Sequence, residues 1–66
     1  MRDVKTGFTV RDAKQKPYRW YFMHVKGEWF LEDSTGYRRW VGFTWPDALA
    51  RIRTVVDNHG FTCELS

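Results

Sequence analysis

The stretch "YRWYFMHVKGEWFLEDSTGYRRWVGF", residues 18–43, decides the fold. Its first run, "YRWYFMHV" (18–25), is aromatic, ends on a β-branched residue and holds no breaker, so it reads as a strand. Lys26-Gly27 reads as a two-residue hairpin turn, because Gly accepts the positive φ that such turns require. "EWFLED" (28–33) returns as a second strand, and Ser34-Thr35-Gly36 forms a three-residue turn into a third, "YRRWVGF" (37–43). The pattern predicts a three-stranded antiparallel meander.

"TWPDALARIRTVVDNHG" follows (44–60). Trp45, Leu49, Ile52 and Val56, with Ala48 and Val55, recur at helical spacing. Thr44 suits the N-cap and Asp47 the reciprocal capping-box position. Pro46 falls in the first turn, where its missing N–H costs little. Asp47 and Arg51 are spaced as a favourable i,i+4 pair, and Gly60 is a natural residue to follow the last turn. The expected fold class is α+β, a three-stranded antiparallel β-meander packed by one C-terminal α-helix over 45–59. Short extra strands are expected at both ends, at Phe8-Thr9-Val10 and within 61–65. Residues 1–66 form a single small domain, with 1–7 as a flexible leader and "DAKQKP" (12–17) as a loop.

Side-chain alternation divides the meander into two faces. Tyr18, Trp20, Phe22, His24, Trp29, Leu31 and Asp33 share the face that meets the helix. A three-residue second turn adds Tyr37, Arg39, Val41 and Phe43 to that face, and a one-residue slip would reverse this third-strand assignment. The predicted core is Trp20, Phe22, Trp29, Leu31, Val41, Leu49, Ile52 and Val56. The opposite face gathers Arg19, Tyr21, Met23, Phe30, Arg38 and Trp40, with Glu28 and Glu32 among them. One helix cannot cover both faces. Either the second face stays open, or the two chain ends fold over it to bury Phe8, Val10, Phe61 and Leu65.

Composition bears on function. The chain has twelve aromatic residues in 66, more than so small a core encloses, so some belong at the surface, where aromatics mark binding. Residues 1–19 carry six basic side chains against Asp3 and Asp12, while the rest of the chain is slightly acidic. This is the footprint of an acidic partner or of a solvated leader. One cysteine, Cys63, allows no internal disulfide and no cysteine-based metal site. No run reaches the ~18 apolar residues of a membrane-spanning helix. A cytoplasmic protein without membrane contact is expected, a complete small gene product of a size common in mobile elements such as phages.

No catalytic residue, metal ligand or cofactor site is expected. His24 lies in an apolar strand and His59 at a helix end, where the dipole favours a cation. The carboxylates form no evident pair, and the five glycines are scattered rather than grouped as a phosphate loop. The candidate binding residues are Arg19, Tyr21, Phe30, Arg38 and Trp40 on the outer face, with Lys14 and Lys16 from the basic segment. Arginine suits guanine edges and phosphates, and rigid aromatics suit sugars, thymine methyls or stacked bases. Duplex DNA is the favoured partner, and a protein partner on the same aromatic face is the alternative.

The run "RRWVGFTWPDALARI" (38–52) resembles the third strand and following helix of the plant AP2 domain and of the arm-site-binding domains of phage-type integrases. Trp40, Gly42, Phe43, Asp47, Ala48 and Ala50 carry the likeness, which spans about residues 18–58. It implies a three-stranded sheet that presents Arg and Trp to DNA. The early Arg-Gly element of those families is missing, and only Arg19 stands in that region. The strand-strand-strand-helix order is also similar to that of the small bacterial YegP-like domains.

Overall fold

The computed structural model describes residues 3–65. The chain forms β1 (Val4–Arg11), β2 (Pro17–Val25), β3 (Glu28–Glu32), β4 (Arg38–Gly42), α1 (Trp45–Asn58) and β5 (Thr62–Cys63). The strands make one antiparallel sheet in the order β4-β3-β2-β1-β5, and the helix packs on one side of it. The fold is therefore α+β. The expected meander is present as β2–β3–β4, but it is the middle and one edge of a five-stranded sheet.

The turns explain the register. Lys26 (φ 52°) and Gly27 (φ 79°) both lie in the left-handed region, the geometry of a two-residue hairpin turn matched to strand twist. Val25 therefore pairs with Glu28 and Met23 with Phe30. The other two hairpins use one device twice. Asp12 and Asp33 each open a three-residue loop, the Gln15 and Gly36 N–H groups donate back to their carbonyls, and Gln15 (φ 67°) and Gly36 (φ 89°) take the left-handed residue. Each aspartate then accepts two backbone N–H groups, from Lys14 and Lys16 or from Thr35 and Tyr37. An aspartate side chain that mimics a backbone turn is the physical reason for its place there.

The first strand corrects the sequence reading. Residues 4–7 are not a leader: they pair with β2 from Val4 opposite His24 onward, while Met1 and Arg2 lie outside the described residues. In "VKTGFTVR" (4–11), Phe8 and Val10 face the helix, and Lys5, Gly7, Thr9 and Arg11 face away. The C-terminal strand pairs with β1 at Val10 and Arg11. Both chain ends thus widen the sheet at its edge. Phe8, Val10, Phe61 and Leu65 pack on the helix side, so the ends do not fold over the outer face.

Trp20, Leu31, Val41, Ile52 and Val56 are buried as expected, joined by Val10 and Ala48. Phe22 and Trp29 are only half-buried beside this core. Leu49 was expected inside and is not part of the cluster. The buried line of the helix runs through Ala48, Ile52 and Val56, with Trp45 and Val55 packed beside it. Leu49 lies about 100° around the helix from Ala48 and about 20° beyond Val56, so it sits half-buried at the margin of that line. Ala48 takes the inward place because the chain doubles back tightly there. A Cβ on Gly42 (φ +153°) would lie 3.3 Å from the Ala48 nitrogen.

Only part of the third-strand facing holds. Arg38 and Trp40 face outward opposite Glu32 and Phe30, and Arg39 lies opposite Leu31. A bulge then sets Gly42 against Trp29 and leaves Val41 as the extra residue. This bends the strand and breaks the alternation. Phe43, expected in the core, is 65% exposed, and Tyr37 is 60% exposed at the turn.

Both helix ends are capped. The Thr44 hydroxyl accepts the Asp47 N–H at 3.4 Å, but no bond returns from Thr44 N–H to the Asp47 carboxylate, and Asp47 and Arg51 form no ion pair. At the other end, Gly60 (φ 74°) and Phe61 donate to the carbonyls of Asp57 and Val56, the paired closing bonds of a glycine C-terminus.

Ile52→Ala should therefore cost about 2–5 kcal/mol, whereas Leu49→Ala should cost roughly 1 kcal/mol or less. Urea unfolding of the two variants measures the difference. Equal losses would place Leu49 in the core after all.

Candidate functional site

Among the described residues, the face opposite the helix carries no second layer. Across it, β1 contributes Lys5, Gly7, Thr9 and Arg11, and β2 contributes Arg19, Tyr21, Met23 and Val25. From β3 come Glu28, Phe30 and Glu32, and from β4 Arg38 and Trp40. Five of the seven expected residues, Arg19, Tyr21, Phe30, Arg38 and Trp40, thus share one continuous surface. Lys14 and Lys16 do not join them. They sit at the tip of the β1–β2 hairpin, about 20 Å along the strands from Trp40 at the usual rise per residue.

Met23 floors the middle of this face and is only 4% exposed. With Val25, Phe30, Arg38, Arg39 and Trp40 it lines a hollow of about 260 Å³. Trp40, 41% exposed, stands between this hollow and a second one on the helix side, which Phe43, Asp47 and Arg51 help to line. Its ring meets Phe43 edge-on at 5.2 Å and carries the Arg51 guanidinium at 5.4 Å. The Arg39 guanidinium lies 5.2 Å from the Tyr37 ring. Three arginines, Arg38, Arg39 and Arg51, thus surround an exposed aromatic edge.

Charge on the face is organised by Glu32. Its side chain is 12% exposed, and it accepts from Arg38 Nε at 2.8 Å and pairs with Lys5 Nζ at 3.2 Å. The Arg38 and Lys5 bonds hold its carboxyl below the ordinary glutamate value. Lys5 also lies 4.7 Å from the centre of the Tyr21 ring. The two acids on this face, Glu28 and Glu32, are outnumbered by Lys5, Arg11, Arg19 and Arg38. Arg19 is exposed and, among the described residues, has no carboxylate partner. Its guanidinium lies over Gly7, where a Cβ would come within 2.6 Å of Nε.

Lys5, Gly7 and Met23 complete this surface and were not among the expected site residues. The alternation of "VKTGFTVR" was the available signal, since it sets Lys5, Gly7 and Arg11 on one side and Phe8 and Val10 on the other.

The histidines serve packing. His24 stacks on Trp29 with centroids 4.4 Å apart. His59 meets Trp20 edge-on at 5.2 Å, and its Nδ1 lies 2.9 Å from the Val55 carbonyl. Cys63 is half-buried opposite Val10. Among the described residues, no three His, Cys, Asp or Glu side chains form a metal-binding group, and no helix is long and apolar enough to cross a membrane. A hollow of about 640 Å³ lies at the other sheet edge, where Thr9 and Arg11 of β1 meet the C-terminal residues 62–65, away from Trp40.

Comparison with protein-family models, with characterised proteins and with solved structures finds no match to this chain.

Among the described residues, the surroundings of three carboxylates hold them below their ordinary range. Glu32 is held down first by Arg38 and then by Lys5, and Asp12 first by the Lys16 N–H and then by the Lys14 N–H and Tyr18 hydroxyl. At Asp33 burial pushes the carboxyl up, but bonds from Thr35 and Tyr37 outweigh it. A depressed folded-state value means that the unfolded chain binds the proton more readily. The stabilisation is present above the ordinary carboxylate value and is lost as pH falls through the lower folded value. The melting temperature should therefore fall as pH drops below about 4.5, the ordinary glutamate value. Glu32→Gln should make that acid limb shallower, leaving the share of Asp12 and Asp33. Melting curves of the two proteins across this range check it, and parallel acid limbs would mean that Glu32 gains nothing from its partners.

Proposed function

We propose that this chain is a non-enzymatic nucleic-acid-binding module that grips its ligand with the outer sheet face and the basic β1–β2 hairpin. The observation that carries this reading is a face, left uncovered by the described residues, on which Arg19, Tyr21, Phe30, Arg38 and Trp40 lie together with Lys5 and a net positive charge. Arginine and lysine neutralise phosphates and give sequence-independent affinity, while aromatic rings supply contacts to bases and sugars. Glu32 does not spoil this grip, because Lys5 and Arg38 already satisfy it. Lys14 and Lys16 extend the basic track to the hairpin tip, where they would meet phosphates beyond the central contact. DNA in an intracellular setting is the ligand that this reading favours.

A protein partner is the second reading, favoured by one observation. Trp40 on β4, with Tyr37 and Phe43 flanking that strand, is exposed at one edge of the sheet, and exposed aromatics of this kind anchor protein interfaces. On that reading, Trp40→Ala abolishes association with the protein partner and DNA binding is negligible even at low salt.

Fluorescence anisotropy with labelled DNA at about 50 mM salt separates the two. Wild type should bind, and log K should fall linearly with log salt. Arg19→Ala and Arg38→Ala should each weaken binding, and loss of a phosphate-contacting arginine should lower the salt slope by about one. Gly7→Ala should weaken binding much as Arg19→Ala does while leaving the melting temperature nearly unchanged, because the added methyl displaces only the end of a flexible side chain. No binding by wild type would overturn the nucleic-acid reading. Binding that ignores Arg19 and Arg38 would transfer the role to the hairpin tip.

A further inference from the structure

We infer that the outer face takes a single unpaired nucleic-acid strand rather than a duplex, with one base seated in the hollow between Trp40 and Phe30. This rests on the reading of that face as a nucleic-acid surface and names its ligand class.

Shape is the first argument. At the level of Trp40 the sheet is four strands across, about 15 Å at the usual strand spacing. The DNA major groove is about 12 Å wide and admits a helix or a two-stranded ribbon. A sheet broader than the groove cannot lay its central residues on base edges inside it. An unpaired strand has no such limit and lies across an open sheet, as strand-binding sheets with exposed aromatics allow.

The hollow is the second argument. Its volume, about 260 Å³, falls below the roughly 300–1,000 Å³ of pockets that enclose drug-sized ligands, and it suits one flat ring system. The floor is apolar, made by Met23, Val25 and Phe30, and Trp40 forms an aromatic wall. No carboxylate lines it. A base entering here buries its ring face, which a base stacked in a duplex cannot present.

Charge is the third argument. Arg38 is fixed at the rim by its Nε bond to Glu32 at 2.8 Å, and among the described residues no protein acceptor takes its Nη groups. Tyr21 is the next outward residue of β2 after Met23, with Lys5 4.7 Å from its ring centre, and Arg19 follows over Gly7. Aromatic and cationic groups alternate along this line. A strand whose bases rest at Trp40 and Tyr21 would pass its phosphates by Arg38, Lys5 and Arg19. An acidic polypeptide satisfies the cations but leaves the flat hollow without a planar occupant.

The test is anisotropy at about 50 mM salt with three labelled probes: oligothymidylate of about 10 nucleotides, a duplex of the same length, and an oligoglutamate peptide. Oligothymidylate should bind at least about tenfold tighter than duplex. Trp40→Ala should weaken it about tenfold or more, and Trp40→Phe should restore much of the loss. Binding should also quench tryptophan fluorescence in the wild type but far less in Trp40→Phe, a readout that does not depend on affinity. Duplex binding equal to or tighter than single-strand binding would overturn the inference and leave the nucleic-acid reading intact. Unchanged affinity and quenching in the Trp40 variants would remove the hollow from the site. Binding to oligoglutamate alone would overturn both readings in favour of a protein partner.

Discussion

One aromatic seam between helix and sheet holds this small fold together. Trp20, 1% exposed, sits at its centre, with Phe8, His59 and Phe61 around it at centroid distances of 5.2–6.4 Å. Tyr18 stacks on Phe61 at 5.3 Å. Toward the helix N-terminus the seam continues through Phe22, Trp29 and Trp45, each 4.9–6.1 Å from the others. A chain of 66 residues buries only about 60% of its unfolded surface. Large rings in edge-on and offset contact are an effective way to supply the missing apolar area. Among the described residues the one helix is committed to this seam, and no other element covers the second side of the sheet.

The open side is then shaped by short-range chemistry. Asp12 and Asp33 fix the lengths of two hairpins through bonds to their own loops, and Lys26-Gly27 fixes the third. These turns set the register, and the register puts Trp40 opposite Phe30 and Arg38 opposite Glu32. Glu32 in turn orients Arg38 and Lys5. The aromatic and cationic groups of the outer face are thus positioned by backbone pairing and one shared carboxylate rather than by a packed second layer. The proposed role uses rigidity of this kind, in which side chains are held before any ligand arrives.

Much of this was legible in the chain. The meander and the helix follow from residue period and turn chemistry, and Gly60 marked the helix end. Alternation, with a two-residue first turn and a three-residue second turn, puts Arg19, Tyr21, Phe30, Arg38 and Trp40 on one face. Three features were not legible for physical reasons. The bulge at Val41 adds a residue without changing composition, so Phe43 was assigned to a face that it does not occupy. Leu49 and Ala48 are adjacent, and apolar content favours the larger side chain, whereas the tight return at Gly42 favours the smaller. Residues 4–7 are too polar to read as a strand by hydropathy, since Lys5 and Thr6 are stabilised by pairing along β2 rather than by burial. Lys5 and Gly7 were missed with them.

The claim on which function rests is that contact occurs on the side the helix leaves free. Amide and side-chain NMR shifts recorded while the protein is titrated with oligothymidylate address it directly. Shifts concentrated at Lys5, Arg19, Tyr21, Met23, Phe30, Arg38 and the Trp40 indole, with Ala48, Ile52 and Val56 unmoved, are the expected result. Shifts concentrated on the exposed helix residues Arg53, Thr54 and Asp57, with the outer face silent, would contradict it.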